Sequence, residues 1–242
     1  MEKTCLIRQP AGLGDIIFCQ KIAKLLLSKG KCNKIIWPVI KPFNYIKEYL
    51  QDPRFDFVCE DEQFPFSELY YSNIINLYQN DDVLYIPLQY ADRTFPDVPV
   101  LDSKYQLVNL NHNDWLDYFN FTRNIEKENS LYYKILNLKD DDEYVLVNSL
   151  YGSPPHSVKS DLVTFNTDKK VVEIEYISDY NLFDWCKVIE NASEIYFVDT
   201  SFTYLFEKLE LKAKKIDLFS RLPGPPTYDS TKYIFKKPYN WV

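Results

Sequence analysis

The chain has 242 residues, 46% hydrophobic and 26% charged, which suits one large domain or two small ones around a core and excludes wholesale disorder. Its 28 lysines and arginines face 35 aspartates and glutamates, and the resulting formal charge of -7 argues against a nonspecific nucleic-acid binder, which needs a strong positive field. Five scattered cysteines without a CxxC pair, and only His112 and His156 as histidines, present no zinc spacing and predict reduced thiols.

The opening Met1-Glu2-Lys3-Thr4 lacks a signal-peptide pattern, and no run of ~18 apolar residues occurs. The expectation is therefore a cytoplasmic protein with no transmembrane segment. The Asn-, Lys-, Tyr- and Phe-rich texture is that of an AT-rich or viral genome, a bias and not a function. Glycine is scarce, with five residues in the chain against a usual ~7%, so each one is informative.

In chain order, short apolar runs alternate with helical patterns, the signature of a parallel sheet. Residues 4–8 read as a first buried strand, followed by the turn Pro10-Ala11-Gly12-Leu13-Gly14-Asp15. A helix is predicted from there to about Lys29, with Ile16, Cys19, Ala23, Leu26 and Leu27 facing a core and Gly30 as its stop. Strands follow at 34–39 and 55–59, with helix over 43–50 and further strands at 73–78 and 83–88. From Ser103 to Leu138 the pattern predicts two or three amphipathic bridge helices, with Trp115, Tyr118, Phe119 and Phe121 read as their core.

The acidic run Lys139–Glu143 reads as a boundary. A second series follows it: strands at 144–148, 171–176, 194–198 and 215–218, and helices at 182–191 and 202–211. The last residues, with Pro223, Pro225, Pro226 and Pro238, read as a tail crossing back to the first half. The predicted fold class is α/β: two small Rossmann-like lobes with parallel sheets facing a cleft. The lobes are 1–140, including the bridge 103–138, and 141–222, with 223–242 as the tail.

Three turns stand out. Gly12-Leu13-Gly14-Asp15 lies between a strand and its helix, where glycines allow a sharp turn and close approach of a ligand. The dinucleotide fingerprint needs glycine at position 17, which is Ile17, and no G-K-[ST] follows, so neither a nicotinamide or flavin site nor a P-loop is indicated. Asp15 then reads either as a simple helix cap or as a carboxylate at the ligand-binding edge of the sheet.

Asp199-Thr200-Ser201 opens a helix without a capping-box partner, since Thr203 and Tyr204 stand where Glu or Gln is needed. Its amides serve either ordinary capping or a pyrophosphate. The segment Ser149-Leu150-Tyr151-Gly152-Ser153, with Lys159 after it, reads as a surface loop or as a phosphate contact. Arg93 and Arg123 are two of five arginines and suit bidentate recognition of an acceptor's acidic group, or surface ion pairs. His156 belongs to no Ser-His-Asp set that spacing can define.

Two of these segments together carry a resemblance. Gly12-Leu13-Gly14-Asp15 after an N-terminal strand resembles the G-x-G-D turn of the heptosyltransferase-like glycosyltransferases of GT-B architecture. Residues Leu182–Leu205, a helix, a small-residue turn, a strand and Asp199-Thr200-Ser201 before another helix, are similar to that family's C-terminal signature. The likeness covers the start of the chain and roughly 145–220, with the middle unmatched.

The resemblance implies an inverting, metal-independent transfer from a nucleotide-diphosphate sugar to a hydroxyl of a glycan or glycolipid, with no cofactor and no metal. It makes Asp15 the general base. It assigns Gly12, Gly14, Ser149, Tyr151, Gly152, Lys159, Asp199, Thr200 and Ser201 to the nucleotide sugar, with the 177–182 segment beside the nucleoside. The departures are Ser201 in place of the family's glycine, Tyr204 and Leu205 where a histidine is common, and a shorter chain. The alternative expectation is a catalytically silent relative that binds a glycan or a protein.

Overall fold

The computed structural model describes residues 3–152, 157–220 and 231–242. These fall into two compact units: one holds residues 3–122 with 231–234, the other the described residues from 123 to 220 with 235–242. Each is built on its own five-stranded sheet.

The first sheet comprises β1 (Thr4–Ile7), β2 (Lys34–Val39), β3 (Phe55–Cys59), β4 (Tyr78–Gln79) and β5 (Val83–Ile86), in the order β3-β2-β1-β5-β4. All neighbours are parallel except β4, which runs antiparallel to β5. β1 lies at the centre, and Cys5, Leu6 and Ile7 are fully buried, as expected of a strand covered on both faces.

After β1 come two helices in place of the single one expected: α1 (Leu13–Phe18) and α2 (Gln20–Ser28). The chain kinks at Cys19. The buried Gln20 side chain donates to the Ile16 carbonyl at 3.1 Å, taking up an acceptor that the kink releases. Gly30 ends α2 as the sequence predicts. At φ +64° it donates to Leu27 O, and Lys31 N donates to Leu26 O, the paired bonds of a Schellman motif.

The strand expected at 73–78 is reduced to Tyr78–Gln79. The Asn80 side chain accepts from the amides of Asp82 and Val83, and this turn folds β4 back onto β5 as a short edge hairpin. The expected helix over 43–50 is one 3₁₀ turn at Lys41–Phe43 and one α turn at Ile46–Tyr49.

The bridge stretch contains helices Val100–Leu107, Trp115–Tyr118 and Ile125–Asn129, the last running on as a π-helical turn over Ser130–Ile135. Of the aromatics of this stretch Tyr105, Trp115, Phe119 and Tyr132 are core, whereas Tyr118 and Phe121, also expected there, are half-buried and Tyr133 is exposed; Phe18 meets Tyr105 at 4.9 Å and Trp115 at 5.5 Å, and Trp115 stacks on Phe119. The units divide inside the stretch, not at the acidic run 139–143. Thr122 N bonds Tyr49 O in the first unit, while Arg123 pairs with Glu128 and Glu190 in the second.

The second unit contains β6 (Tyr144–Asn148), β7 (Leu150–Tyr151), β8 (Val158–Lys159), β9 (Lys170–Glu173), β10 (Glu194–Val198), β11 (Lys215–Phe219) and β12 (Asn240–Trp241). The main sheet has the order β12-β11-β10-β6-β9 and is parallel throughout, while β7 and β8 form a separate hairpin. Helix Cys186–Asn191 is entered through a 3₁₀ turn, Leu182–Trp185. A capping box secures that entry: Asn181 Oδ1 accepts from Phe183 N, and Asp184 Oδ2 accepts from Asn181 N. The last helix, Ser201–Phe206, is shorter than the 202–211 expected.

The tail is shared between the units. Residues 231–234 belong with the first, where Trp115 Nε1 donates to Ile234 O at 3.0 Å, and 235–242 belong with the second through β12. Pro223, Pro225 and Pro226 lie outside the described residues. All five cysteines are buried free thiols. Among the described residues no helix is long and apolar enough to cross a membrane.

The final segment hangs on one buried carboxylate. Glu207 accepts from Lys236 N at 3.0 Å, Lys237 N at 3.2 Å and the Tyr239 hydroxyl at 2.7 Å. Removing it strands three donors, each costing about 1–3 kcal/mol if it stays out of water. Glu207→Ala is expected to lower the unfolding free energy by about 2 kcal/mol in a urea titration, less than the sum over three donors, because the tail can fray and rehydrate them. An unchanged midpoint would show that the carboxylate does not anchor the tail.

Candidate functional site

In both sheets the strand order reverses at one place. In the first unit the chain builds from β1 outward through β2 and β3, then returns to place β5 on the other side of β1. In the second it goes from β6 to β9, then returns to place β10 on the other side of β6. At such a point consecutive crossovers leave in opposite directions, and the carboxyl edge between the two strands stays uncovered, which is where open α/β sheets take ligands. The sequence-predicted turns fall on these two edges.

At the first edge, Gly12 is the N-cap of α1 with φ +75°, a left-handed conformation that favours glycine. A Cβ built on Gly12 would overlap the Asp15 carboxylate, so the side chain of Asp15 folds back over the turn and needs a bare backbone there. Gly14 is different: it lies within α1, and the sharp turn belongs to Gly12 alone. Asp15 stands in the first turn of α1 with its side chain 28% exposed, and Lys104 Nζ lies 3.5 Å from its Oδ1. The Lys104 side chain is only 4% exposed and also donates to Gln9 Oε1 at 2.7 Å and to Leu88 O at 3.2 Å. Gln9 in turn donates to Ala11 O, so the turn, the lysine and the carboxylate form one network. The same two charges reach Cys19, whose thiol is pushed up to about 12, mainly by burial.

Lys104 escaped the sequence reading. Its signal was present: Leu101, Lys104 and Tyr105 share one helix face by i, i+3, i+4 spacing, and all three are buried. A lysine on an apolar stripe requires a buried partner.

At the second edge, Asn148 ends β6 opposite Phe197 of β10, which puts Ser149 beside the start of the Asp199–Ser201 turn. Asn148 is buried and its side chain exchanges bonds with the Leu150 backbone, bending the chain off the sheet. Asp199 is buried, takes Phe219 O through its amide at 2.9 Å and accepts the Thr203 hydroxyl at 3.2 Å. Thr200 is the N-cap of Ser201–Phe206 and makes no side-chain cap bond; its Oγ1 is buried and has no partner among the described residues. In the first turn of this helix the Thr203 amide bonds Thr200 O at 3.0 Å, while the amides of Ser201 and Phe202 have no intrahelical acceptor. Such an arrangement favours an anion.

Tyr151 and Gly152 belong to the β7–β8 hairpin, with Tyr151 opposite Val158 and Lys159 opposite Leu150. Gly152 has φ +96° and Lys159 is exposed. Ser153 and His156 lie outside the described residues. In the 177–182 segment, Tyr180 donates to Ser130 Oγ at 3.0 Å and Asn181 is occupied by its capping box.

The two arginines differ. Arg123 is spent inside the second unit: it pairs with the buried Glu128 and with Glu190, its charge held more firmly by the Glu128 hydrogen bond, so its fork is filled by the protein itself. Arg93 is exposed, with its guanidinium over the Tyr90 ring at 4.7 Å. Among the described residues no group of three His, Cys, Asp or Glu is arranged to hold a metal ion.

No family model matches the sequence, and no curated protein matches it. Solved structures do match. The family 9 glycosyl transferase from Veillonella parvula DSM 2008 is similar over the whole of this chain and 87% of its own, at 11% identity and a TM-score of 0.54. The iron-containing dodecameric glycosyltransferase TibC from enterotoxigenic E. coli H10407 is similar over 90% of this chain and 58% of its own, at 11% identity and a TM-score of 0.48. The heptosyltransferase TibC in complex with ADP-D-beta-D-heptose gives 100% and 62%, at 12% identity and 0.48. The chain thus spans about three-fifths of the TibC chains. The first likeness shows the fold, and with the two parallel sheets it bears out the expectation of a compact GT-B-like α/β chain.

The Gly12 turn is open to a direct check. Gly12→Ala forces a β-carbon into a left-handed residue, at about 1–2 kcal/mol, and into the place of the Asp15 carboxylate. The expected outcome is a folded protein with a lowered Tm whose Asp15 side chain, in a crystal structure of the variant, has left Lys104. An Asp15 carboxylate still beside Lys104 would refute the overlap.

Proposed function

We propose that this protein is a glycosyltransferase that moves a sugar from a nucleotide-diphosphate sugar to a hydroxyl of a glycan or glycolipid, by an inverting displacement that uses no metal. The observation that carries the reading is Thr200: a helix N-cap at the switch point of the second sheet whose hydroxyl is buried without a partner among the described residues. A diphosphate oxygen would give that hydroxyl an acceptor and would meet the amides of Ser201 and Phe202. The fold of a family 9 glycosyl transferase supports the same reading.

On this reading Asp15 is the general base. Lys104 holds Oδ1 of its carboxylate, leaving Oδ2 for the acceptor hydroxyl. As the acceptor oxygen attacks the anomeric carbon, its proton passes to Asp15. The bond from that carbon to the diphosphate oxygen breaks on the opposite face, inverting the centre. The nucleoside diphosphate leaves with the bonding pair, and its growing charge is met by the amides and hydroxyls of Thr200 and Ser201 rather than by a divalent ion. Asp199 positions this turn through Phe219 O and Thr203. Ser149 borders it at the end of β6, and Tyr151, Gly152 and Lys159 on the adjoining hairpin are the nearest groups proposed for the nucleoside and its phosphates.

Two outcomes follow. A screen of nucleoside diphosphates with EDTA present is expected to find one that raises the Tm. At a hundredfold excess over Kd the stabilisation is about 2.7 kcal/mol. Silence across ADP, GDP and UDP, together with binding of a glycan alone, would leave a glycan-binding module instead. Asp15→Asn is expected to lower kcat by at least about a hundredfold while the nucleotide-induced shift persists. Undiminished transfer would remove Asp15 from the mechanism.

A further inference from the structure

The first sheet's switch point holds a second set of groups that the transfer chemistry does not use. Arg8 follows β1 directly, its amide bonded to Ile86 O and its carbonyl to Gln89 N, so it stands in the gap between β1 and β5. Its guanidinium lies over two rings, 4.9 Å from the centroid of Tyr70 and 5.0 Å from that of Tyr90. One nitrogen, Nη1, donates to Ser72 O at 3.1 Å and to the Tyr85 hydroxyl at 3.4 Å. The donors of the other edge are unused: Nε is buried and has no acceptor among the described residues, and Nη2 has none either. No carboxylate of the described residues lies within ion-pair distance of Arg8 or of Arg93, the second guanidinium on the Tyr90 ring. The carboxylate on the far side of Tyr70, that of Glu60, accepts the Tyr70 hydroxyl at 3.1 Å.

A half-buried cation with no counter-charge and a buried unpaired N–H is costly, at about 1–3 kcal/mol for the donor alone. The Nε–Nη2 edge is one of the two geometries that clasp a planar or tetrahedral oxyanion with parallel hydrogen bonds. The two ring contacts and the two Nη1 bonds hold the side chain in place, so little rotamer freedom remains to be lost on binding.

We propose that the carboxyl edge between β1 and β5 is a binding site for the carboxylate or phosphate group of a small ligand, gripped side-on by Nε and Nη2 of Arg8, with Arg93 adding charge across Tyr90. This goes beyond the transferase reading and needs no nucleotide; resting on that reading, the oxyanion is a group of the acceptor. A carboxylate and a phosphate monoester share the recognition chemistry, and the probes separate them.

The test uses the full chain without nucleotide and follows the arginine Nε–H resonances by two-dimensional NMR, the Arg8 signal being assigned by its loss in Arg8→Lys. Methyl β-D-glucuronide supplies a carboxylate, glucose 6-phosphate a phosphate and methyl β-D-glucoside neither. Saturable movement of the Arg8 signal is expected with at least one charged probe and not with the neutral one. In calorimetry, Arg8→Lys should weaken that probe about tenfold or more, since a lysine cannot make the paired bonds. Arg93→Gln, on the surface, should weaken it a few-fold through lost charge, as for an exposed ionic contact. A shift by neither charged probe, equal shifts by all three, or unchanged affinity in a folded Arg8→Lys would each overturn the proposal. Nucleotide binding is unaffected by any of these outcomes, so a failure here is distinct from a failure of the transferase reading.

Discussion

Strands in a parallel sheet all run the same way, so their carboxyl ends share one edge. At the place where strand order reverses, the chain departs to opposite sides and cannot close over that edge. This constraint arises twice here, once between β1 and β5 and once between β6 and β10. It leaves backbone and polar side chains at the start of the next element without a neighbour from their own sheet. Arg8, Gly12 and Asp15 collect at one such edge, and Asn148, Ser149 and Asp199–Ser201 at the other. Chemistry gathers there because those are the positions where a polar group can be held rigidly without being enclosed by the fold.

Rigidity at the first edge comes from burying charge in pairs. Lys104 is almost wholly inside, and such a residue is tolerated only with acceptors around it; Gln9, Leu88 and Asp15 provide them. The carboxylate of Asp15 thereby has one oxygen, Oδ1, held by a buried cation. Arg123 illustrates the opposite arrangement. With Glu128 and Glu190 filling its fork, it fixes the entry into the second unit and has nothing left to offer a ligand.

Order at the second edge depends on satisfied and unsatisfied groups lying side by side. Asp199 is engaged on both its amide and its carboxylate, and the turn it holds leaves Thr200 with a buried hydroxyl that has no partner among the described residues. A helix start that lacks its own cap while the preceding residue is fully anchored is a rigid seat and not a frayed end.

Much of this protein can be read from its residues alone. Alternating apolar runs specify parallel strands, because a strand buried on both faces must be apolar on both. Glycine at a junction between strand and helix specifies a turn, as Gly12 does before α1 and Gly30 after α2, because few other residues accept a left-handed backbone. The absence of Glu or Gln three residues after Thr200 and Ser201 leaves that helix start without a capping box, and Thr200 indeed makes no side-chain cap bond. These are local properties, set by neighbours along the chain. Tertiary structure decided the rest. Lys104 lies 89 positions from Asp15, and Tyr70 and Tyr90 lie 62 and 82 positions from Arg8. The division of the chain at 122/123, the sharing of the tail between the two units and the difference between Arg8 and Arg123 are set in the same way. Each depends on which distant groups meet, and a charge or a donor acquires its role only from the partner that folding brings, or fails to bring, within bonding distance.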